Sequence, residues 1–303
     1  MHVVYHLHGN RILCTIAYLA TAMTTGYAIS LSITSNRTMK QTILVTGGTG
    51  TLGKQVVKQL IDKEYTPIVF TSKENAIIEK GAMPAVGNLA LNTGLHEATL
   101  NADTIIHCAS NPRNAAEVDI QGTANLLASI PSHKSPHIIY ISICGVDKSN
   151  YAYYQNKLAT EKLIAASRFP YTVLRITQFH DFILHRMLTP GLNEQESFIE
   201  LPDNTSFQPI DIRDVATYIA DRIDERPQGA CLTIGGPEIF TIRQLATTYL
   251  EYTGKEYAIR ESSAQSDFLN IFRSGINLTP ENKTGAITWS TYLRNTLQEP
   301  QQS

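Results

Sequence analysis

The sequence predicts an α/β fold in which helices cover both faces of a doubly wound parallel sheet. Two observations carry this prediction. From residue 41 onward, short apolar runs alternate with longer segments of helical periodicity, and this alternation is typical of βαβ units. The apolar runs are also continuous, which indicates that both faces of each strand are buried.

The main strands and helices are predicted between residues 42 and 175. The strands are Thr42–Thr46, Pro67–Thr71, Thr104–His107, His137–Ser142 and Tyr171–Arg175. The helices are Leu52–Asp62, Val118–Ile130 and Tyr151–Ser167. Because βαβ crossovers are right-handed, the carboxyl ends of these strands should share one edge of the sheet, where ligands bind in such folds.

The pattern is more interrupted after residue 178. Thr189–Ser206 is rich in Pro, Gly, Asn and acidic residues and predicts a loop. Two short strands, Phe207–Asp211 and Cys231–Ile234, and two helices, Arg213–Ile223 and Thr241–Tyr252, are predicted beyond it. We interpret residues 179–303 as a small substrate-covering region that belongs to the same domain as a core at residues 40–178.

Residues 1–39 form an extension that we exclude from the fold. Ile12–Met23 is only moderately apolar and too short to span a bilayer, which takes about 20 apolar residues. The segment resembles a weak secretory signal, but Met39 directly precedes the first strand and is the favoured start of the protein. We therefore expect a cytoplasmic protein without a stable membrane anchor, with export as the alternative.

Composition excludes several classes of function. The formal net charge is −2, from 25 basic and 27 acidic residues, and no basic cluster occurs. A nucleic-acid partner is therefore not expected. None of the 4 cysteines has the spacing of a Cys/His metal site, so no metal is predicted.

A glycine-rich turn predicts a dinucleotide-binding site of the Rossmann type. Gly47, Gly50 and Gly53 lie between the first strand and the first helix. Glycines at these positions permit a tight turn, close approach of a pyrophosphate and close packing of helix on strand. The amides at the helix start favour the bound anion. The cofactor-binding residues predicted here are Gly47, Thr49, Gly50, Thr51, Leu52 and Gly53.

The end of the second strand favours NADP(H) over NAD(H). A site for NAD usually has an acidic residue there, which accepts from the ribose 2′-OH. Here Ser72 and Lys73 follow the strand and no acid occurs before Glu74. A hydroxyl and an ammonium suit a 2′-phosphate.

A tyrosine–lysine pair predicts acid–base chemistry. Tyr153 and Lys157 are four residues apart on a predicted helix and therefore share a face. An ammonium beside a phenol should lower the pKa of that phenol and make it a usable acid–base group. Ser142 ends the preceding strand and could hydrogen-bond a substrate carbonyl.

Together these residues resemble the short-chain dehydrogenase/reductase superfamily, and within it the atypical, NmrA-like NAD(P)-binding branch. The matching stretches include TGGTGTLG at Thr46–Gly53, HCASNP at His107–Pro112, DIQGTANLL at Asp119–Leu127, YYQNKLATE at Tyr153–Glu161 and QPIDIRDVA at Gln208–Ala216.

The resemblance implies further site residues. Ala109 and Ser110 would lie beside a ribose of the cofactor, and Asn88 near its adenine. Tyr153 and Lys157 would take the acid–base and ribose-binding roles. Phe179 would line the nicotinamide end. From its position after the strand Tyr171–Arg175 at the ligand edge, His180 is either a substrate contact or a loop histidine with its own hydrogen-bond partners.

Three functions follow from these observations. The first is an NADPH-dependent oxidoreductase that reduces a small carbonyl or quinone substrate. The second is a non-catalytic NADP(H)-binding redox sensor, since the NmrA-like branch includes such proteins. The third and weakest is a nucleotide-sugar epimerase. A homodimer is compatible with each of them.

Overall fold

The computed structural model describes residues 4–8, 11–15, 41–225, 227 and 229–298. The chain divides into two units, Met1–Met39 and Lys40–Ser303. In the first unit, strands Val4–His8 and Arg11–Thr15 pair antiparallel. Residues 16–40 lie outside the described ranges, and with them most of the signal-like stretch Ile12–Met23 and the start predicted at Met39.

The second unit contains the predicted parallel sheet. Its seven strands, numbered in chain order, are β1 (Ile43–Thr46), β2 (Pro67–Thr71), β3 (Met83–Val86), β4 (Thr104–His107), β5 (His137–Ile143), β6 (Tyr171–Ile176) and β7 (Ala230–Ile234). Their spatial order is β3-β2-β1-β4-β5-β6-β7, and every pairing is parallel. The doubly wound α/β fold class is therefore confirmed.

Helices fill the connections and the carboxyl-terminal region. They are α1 (Thr51–Asp62), α2 (Leu95–Thr99), α3 (Gly122–Ser129), α4 (Ala152–Ala165), α5 (Ile212–Asp221), α6 (Ile242–Thr253), α7 (Asp267–Arg273) and α8 (Trp289–Gln298). A π-helix, Ala116–Gln121, runs directly into α3, and a short turn of helix, His180–Phe182, continues into a second π-helix, Ile183–Leu188. None of the helices described combines the length and hydrophobicity needed to span a bilayer.

Alternation along β1 explains why its sequence is apolar throughout. Ile43 and Val45 face a core layer that α1 and α5 cover, whereas Leu44 faces the opposite layer with α3 and α4. All three side chains are fully buried. Successive residues of a strand point to opposite faces, so a strand whose two faces are both covered is buried, and therefore apolar, at every position.

The carboxyl-terminal region corrects two of the predictions. Thr189–Ser206 is not simply a loop, because Phe198–Pro202 forms a strand between Leu192–Asn193 and Ala258–Ser262. Its Ile199 and Leu201 are buried while Glu200 is exposed, an alternation that the surrounding Pro and Asn residues obscured.

The strand predicted at Phe207–Asp211 is also shorter than expected. Ser206–Phe207 pairs with Phe240–Thr241, but Asp211 is the N-cap of α5 and accepts from the amide of Arg213. Because Asp211 starts the following helix as its N-cap, the strand pairing ends before it.

Candidate functional site

The backbone around the turn between β1 and α1 leaves so little space that only glycine fits at two of its positions. Gly47 has a φ of +67°, and a Cβ there would lie 2.7 Å from the amide nitrogen of Ala109. A Cβ on Gly53 would lie 2.1 Å from the carbonyl oxygen of Gly47. Both positions therefore require the absence of a side chain.

The first amides of α1 are left open at this turn. The N-cap residue is Gly50, which has no side chain to accept from them. The N–H groups of Thr51, Leu52 and Gly53 are the first of the helix and have no intrahelical acceptors. Such amides and the positive end of the helix dipole favour an anion.

A cleft with about 1010 Å³ of empty space runs from this turn across the carboxyl edge of the sheet. Its walls come from the turn, from the loops after β2 and β3, and from the segment after β4. Predicted cofactor residues that line it are Gly47, Thr49, Gly50, Ser72, Lys73, Asn88, Ala109 and Ser110. The structure thus brings together groups that are more than 60 residues apart in sequence.

The loop after β2 places an exposed ammonium, that of Lys73, at the cleft. Thr71 is buried, and its Oγ1 accepts from the amide of Lys73 at 3.2 Å. Ser72 and Lys73 are exposed. Within the described part of the chain, no carboxylate forms an ion pair with the Lys73 ammonium. A phosphate that entered this end of the cleft would meet this charge.

Four side chains form a continuous cluster at the other end of the cleft. The hydroxyl groups of Tyr153 and Ser110 are 2.8 Å apart, and Ser110 Oγ lies 2.6 Å from Asp119 Oδ1. The Lys157 ammonium lies 3.6 Å from the same carboxylate oxygen and donates to the carbonyl oxygen of Ile141 at 2.7 Å. We call these four residues, Ser110, Asp119, Tyr153 and Lys157, the relay cluster.

Burial controls the electrostatics of this cluster. It lowers the pKa of Lys157 to about 8, although Asp119 acts in the opposite direction. Burial also raises the pKa of Tyr153 to about 12; the hydrogen bond to Ser110 opposes this shift and the charge of Asp119 adds to it. The expectation that Lys157 lowers the pKa of Tyr153 is therefore wrong for this geometry. The reason is that burial dominates the pKa of this phenol, and the charge of Asp119 adds to the increase.

A chain of hydrogen bonds beneath the cleft holds the cluster in place. Thr123 Oγ1 donates to the carbonyl of Asp119, so it accepts from Nε2 of His107 at 2.8 Å. The other ring nitrogen, Nδ1, lies 2.6 Å from Thr46 Oγ1. Burial lowers the pKa of His107 to about 3, so the ring is neutral and donates at one nitrogen only. These hydrogen bonds connect β1 and β4 to the π-helix Ala116–Gln121, which carries Asp119.

Ser142 does not join this cluster. It is 2% exposed, and its hydroxyl donates to Oε1 of Glu161. Glu161 is itself held by the Arg175 guanidinium at 2.7 and 3.0 Å. The predicted contact of Ser142 with a substrate carbonyl is corrected, because side chains alternate along β5 and this one points into a buried ion-pair network.

His180 is also in the interior. It is 1% exposed; its Nδ1 lies 3.4 Å from Asp211, and its ring contacts Trp289 and Tyr292. This packing against α8 replaces the substrate contact considered for it. Phe179 beside it is half-buried, and it bridges to Ile210 in a parallel arrangement.

Sequence reasoning missed Asp119 as a site residue. It is fully buried, and besides Ser110 it accepts from the amide of Asn111 at 3.0 Å. A signal was present, because this acid stands between Val118 and Ile120 in an otherwise apolar part of a predicted helix. A buried carboxylate requires partners, which only the fold could identify.

Comparison with known protein families decides which family this is. A family model described as NAD(P)H-binding matches residues 47–226, more than half of the chain. The chain belongs to this NAD(P)H-binding family. The match begins at the glycine-rich turn and includes the relay cluster, and it agrees with the resemblance to the atypical, NmrA-like NAD(P)-binding proteins.

Two relatives of known name are similar to parts of the chain. Photosystem II assembly factor Ycf39 of Synechocystis sp. is 27% identical over 190 residues, which are 60% of this chain and 58% of that protein. The chloroplastic divinyl chlorophyllide a 8-vinyl-reductase of Oryza sativa subsp. indica is 26% identical over 223 residues, which are 65% and 54% of the two chains. The chain therefore spans only about half to three fifths of the length of these relatives.

Solved structures support the fold. An NADPH-dependent quinone oxidoreductase from Escherichia coli, in complex with NADPH, matches with a TM-score of 0.67 at 19% identity, over 84% of this chain and 99% of that one. The UDP-glucose 4-epimerase of Thermotoga maritima matches with a TM-score of 0.65 at 17% identity, over 85% and 97%. At this level of identity the likeness concerns the fold alone.

Proposed function

We propose that this NAD(P)H-binding protein is an NADPH-dependent reductase of a small carbonyl or quinone. The observation that carries the proposal is the position of the Tyr153 hydroxyl, 2.8 Å from Ser110, a residue that lines the cleft. A phenol at the end of a dinucleotide cleft can deliver a proton to a substrate oxygen.

The residues of the cleft suit NADPH. The amides at the start of α1 would bind the pyrophosphate, and Ser72 with Lys73 would hold the 2′-phosphate. Ala109 and Ser110 would lie along the nicotinamide half. The bound cofactor supplies hydride to the substrate carbon. Tyr153 would then give its proton to the substrate oxygen, and Lys157 would set the charge around it.

A second function is favoured by one observation. The ammonium of Lys157 is held by Asp119 and the carbonyl of Ile141, and burial raises the pKa of Tyr153 to about 12. Such a pair suits a protein that binds NADPH and reports its level to a partner without turnover. One relative is named as an assembly factor rather than as an enzyme.

Turnover separates the two functions. Purified protein would be mixed with NADPH and a panel of quinones and aldehydes, and cofactor absorbance followed. The reductase proposal expects steady oxidation that falls about 10²- to 10⁴-fold in Tyr153→Phe. The matched control is Tyr218→Phe, because Tyr218 packs against Arg222 and does not line the cleft. Tight NADPH binding without turnover of any compound would leave the sensor as the function.

A further inference from the structure

The direction of each hydrogen bond in the relay cluster follows from its chemistry. In the resting protein Ser110 donates to Oδ1 of Asp119, so the proton between them belongs to Ser110 Oγ while Asp119 is a carboxylate. A serine hydroxyl has one proton. The remaining bond, to the hydroxyl of Tyr153, must therefore use the phenol as donor. The protons are ordered from Tyr153 to Ser110 to Asp119.

The carboxylate of Asp119 also lies close to the ammonium of Lys157. Oδ1 of Asp119 lies 2.6 Å from Ser110 Oγ and 3.6 Å from Nζ of Lys157. Lys157 is 3% exposed. One carboxylate oxygen thus joins the only ammonium of the cluster to the hydroxyl that contacts Tyr153, and no atom of a ligand is needed in the path.

We propose that Ser110 and Asp119 form a proton relay that carries a proton from Lys157 to Tyr153 through protein atoms alone. The proposal rests on the reductase function. Ser110 contacts Tyr153 directly, and Asp119 acts as a positioning and proton-transfer residue behind it. The relay restores the phenol after each turnover without direct contact between Tyr153 and water when a ligand fills the cleft.

The proton balance of one cycle closes. The O–H bond of Tyr153 breaks as a new O–H bond forms on the substrate. The phenolate takes the proton of Ser110 Oγ, and Ser110 takes one from the carboxyl of Asp119. Asp119 has received that proton from Nζ of Lys157, which moves from 3.6 Å to hydrogen-bond distance of Oδ1 for this step and then regains a proton from water. Each residue loses and gains one proton, and no electrons move between them.

The charged and titratable groups around this path come from several elements. The pKa of Lys157 is raised by Asp119, Cys108 and Glu161. Its Nζ lies 4.3 Å from the centre of the Tyr140 ring, and its charge helps to lower the pKa of His107. Asp119 and Tyr151 both raise the pKa of Tyr153. A pKa of about 8 lets Lys157 give up and regain a proton near neutral pH.

The first test uses the cofactor-free protein. The pKa of Lys157 would be measured by NMR of protein with ¹³C-labelled lysine, and its signal assigned with Lys157→Arg. Because Asp119 stabilises the ammonium, Asp119→Asn is expected to lower the pKa of Lys157 below its value in the unchanged protein. An unchanged pKa would overturn the connection between the two residues. Thermal unfolding of the same variant shows whether it has folded.

The second test measures turnover of NADPH with the most active quinone or aldehyde, in H₂O and in D₂O. Ser110→Ala interrupts the path, so kcat should fall roughly tenfold or more and the solvent isotope effect should change. Ser110→Thr keeps a hydroxyl and should restore most of kcat. Ser167→Ala is the matched control, since that hydroxyl bonds Ile164 at the end of α4.

The outcomes distinguish this proposal from the function on which it rests. Turnover by the unchanged protein that Ser110→Ala leaves intact, with the same isotope effect, overturns the relay but keeps the reductase. Absence of turnover by the unchanged protein removes both the reductase and the catalytic use of the relay. A fall of the rate in Ser110→Ala that comes only from weaker NADPH binding, seen by fluorescence titration and reversed at saturating NADPH with kcat unchanged, also overturns the relay.

Discussion

The 2′-phosphate assignment depends on Lys73, and replacing this residue by alanine tests it. Two unit charges about 4 Å apart attract by about 1 kcal/mol in water and about 4 kcal/mol at an effective dielectric constant of about 20. Lys73 is exposed, so the lower end applies. A loss of about 1–2 kcal/mol weakens NADPH binding roughly 5- to 30-fold. NADH has no 2′-phosphate and should bind as before.

The assay is a fluorescence titration of each protein with NADPH and with NADH. Lys80→Ala is the matched control, because Lys80 lies on the same connection, bridges to Ala82 and does not line the cleft. Salt adds a second measurement: the Debye length falls from about 10 Å at 0.1 M to about 3 Å at 1 M, so the preference for NADPH should shrink. Equal losses of NADPH and NADH affinity in Lys73→Ala would refute the assignment.

Three further predictions concern the turn, the lysine and the acid stability of the fold. Gly47→Ala should abolish measurable binding of NADPH, because its Cβ would meet the amide of Ala109 at 2.7 Å and its φ of +67° costs a non-glycine residue about 1–2 kcal/mol; a titration that still saturates would contradict this. The rate of reduction should fall as pH rises through about 8, since Lys157 is a proton donor only below its pKa; a kcat that is flat from pH 6 to 10 would argue against that role. Hydrogen bonds from Arg213 hold the pKa of Asp211 well below its usual range although burial opposes them, so its stabilisation is present above the unfolded pKa of about 3.9 and lost as pH falls towards the folded value. Asp211→Asn should therefore have a lower melting temperature at neutral pH and a weaker dependence on acid pH, whereas parallel acid profiles would exclude this contribution.

The buried ion-pair network around Arg175 explains why a serine at the end of β5 misled the sequence analysis. Ser142 is paired across the sheet with Arg175, and both meet Glu161 of α4. Whether a strand residue faces a cleft or a helix depends on register and on parity along the strand. A shift of a single residue changes the answer, and local sequence carries little information on it.

The features that could be read from the sequence alone involve groups that are close together along the chain. The segment Thr46–Gly53 contains within eight residues the strand end, the tight turn and the open amides on which the predicted anion site depends. Tyr153 and Lys157 are joined by one turn of a helix, so their common face follows from helical geometry. Apolar runs such as that of β1 predicted a sheet covered on both sides, because burial alternates with every residue.

Tertiary structure alone decided which of these groups act together. Ser110, Asp119 and Tyr153 come from a loop, a π-helix and α4, and they meet because parallel strands bring their carboxyl ends to one edge of the sheet. The pKa of Tyr153 was likewise beyond the sequence: the lysine beside it predicted a lower value, whereas burial and a carboxylate from another element raised it. Charge and solvent exposure are properties of a neighbourhood in space, and the chain assembles that neighbourhood only when it folds.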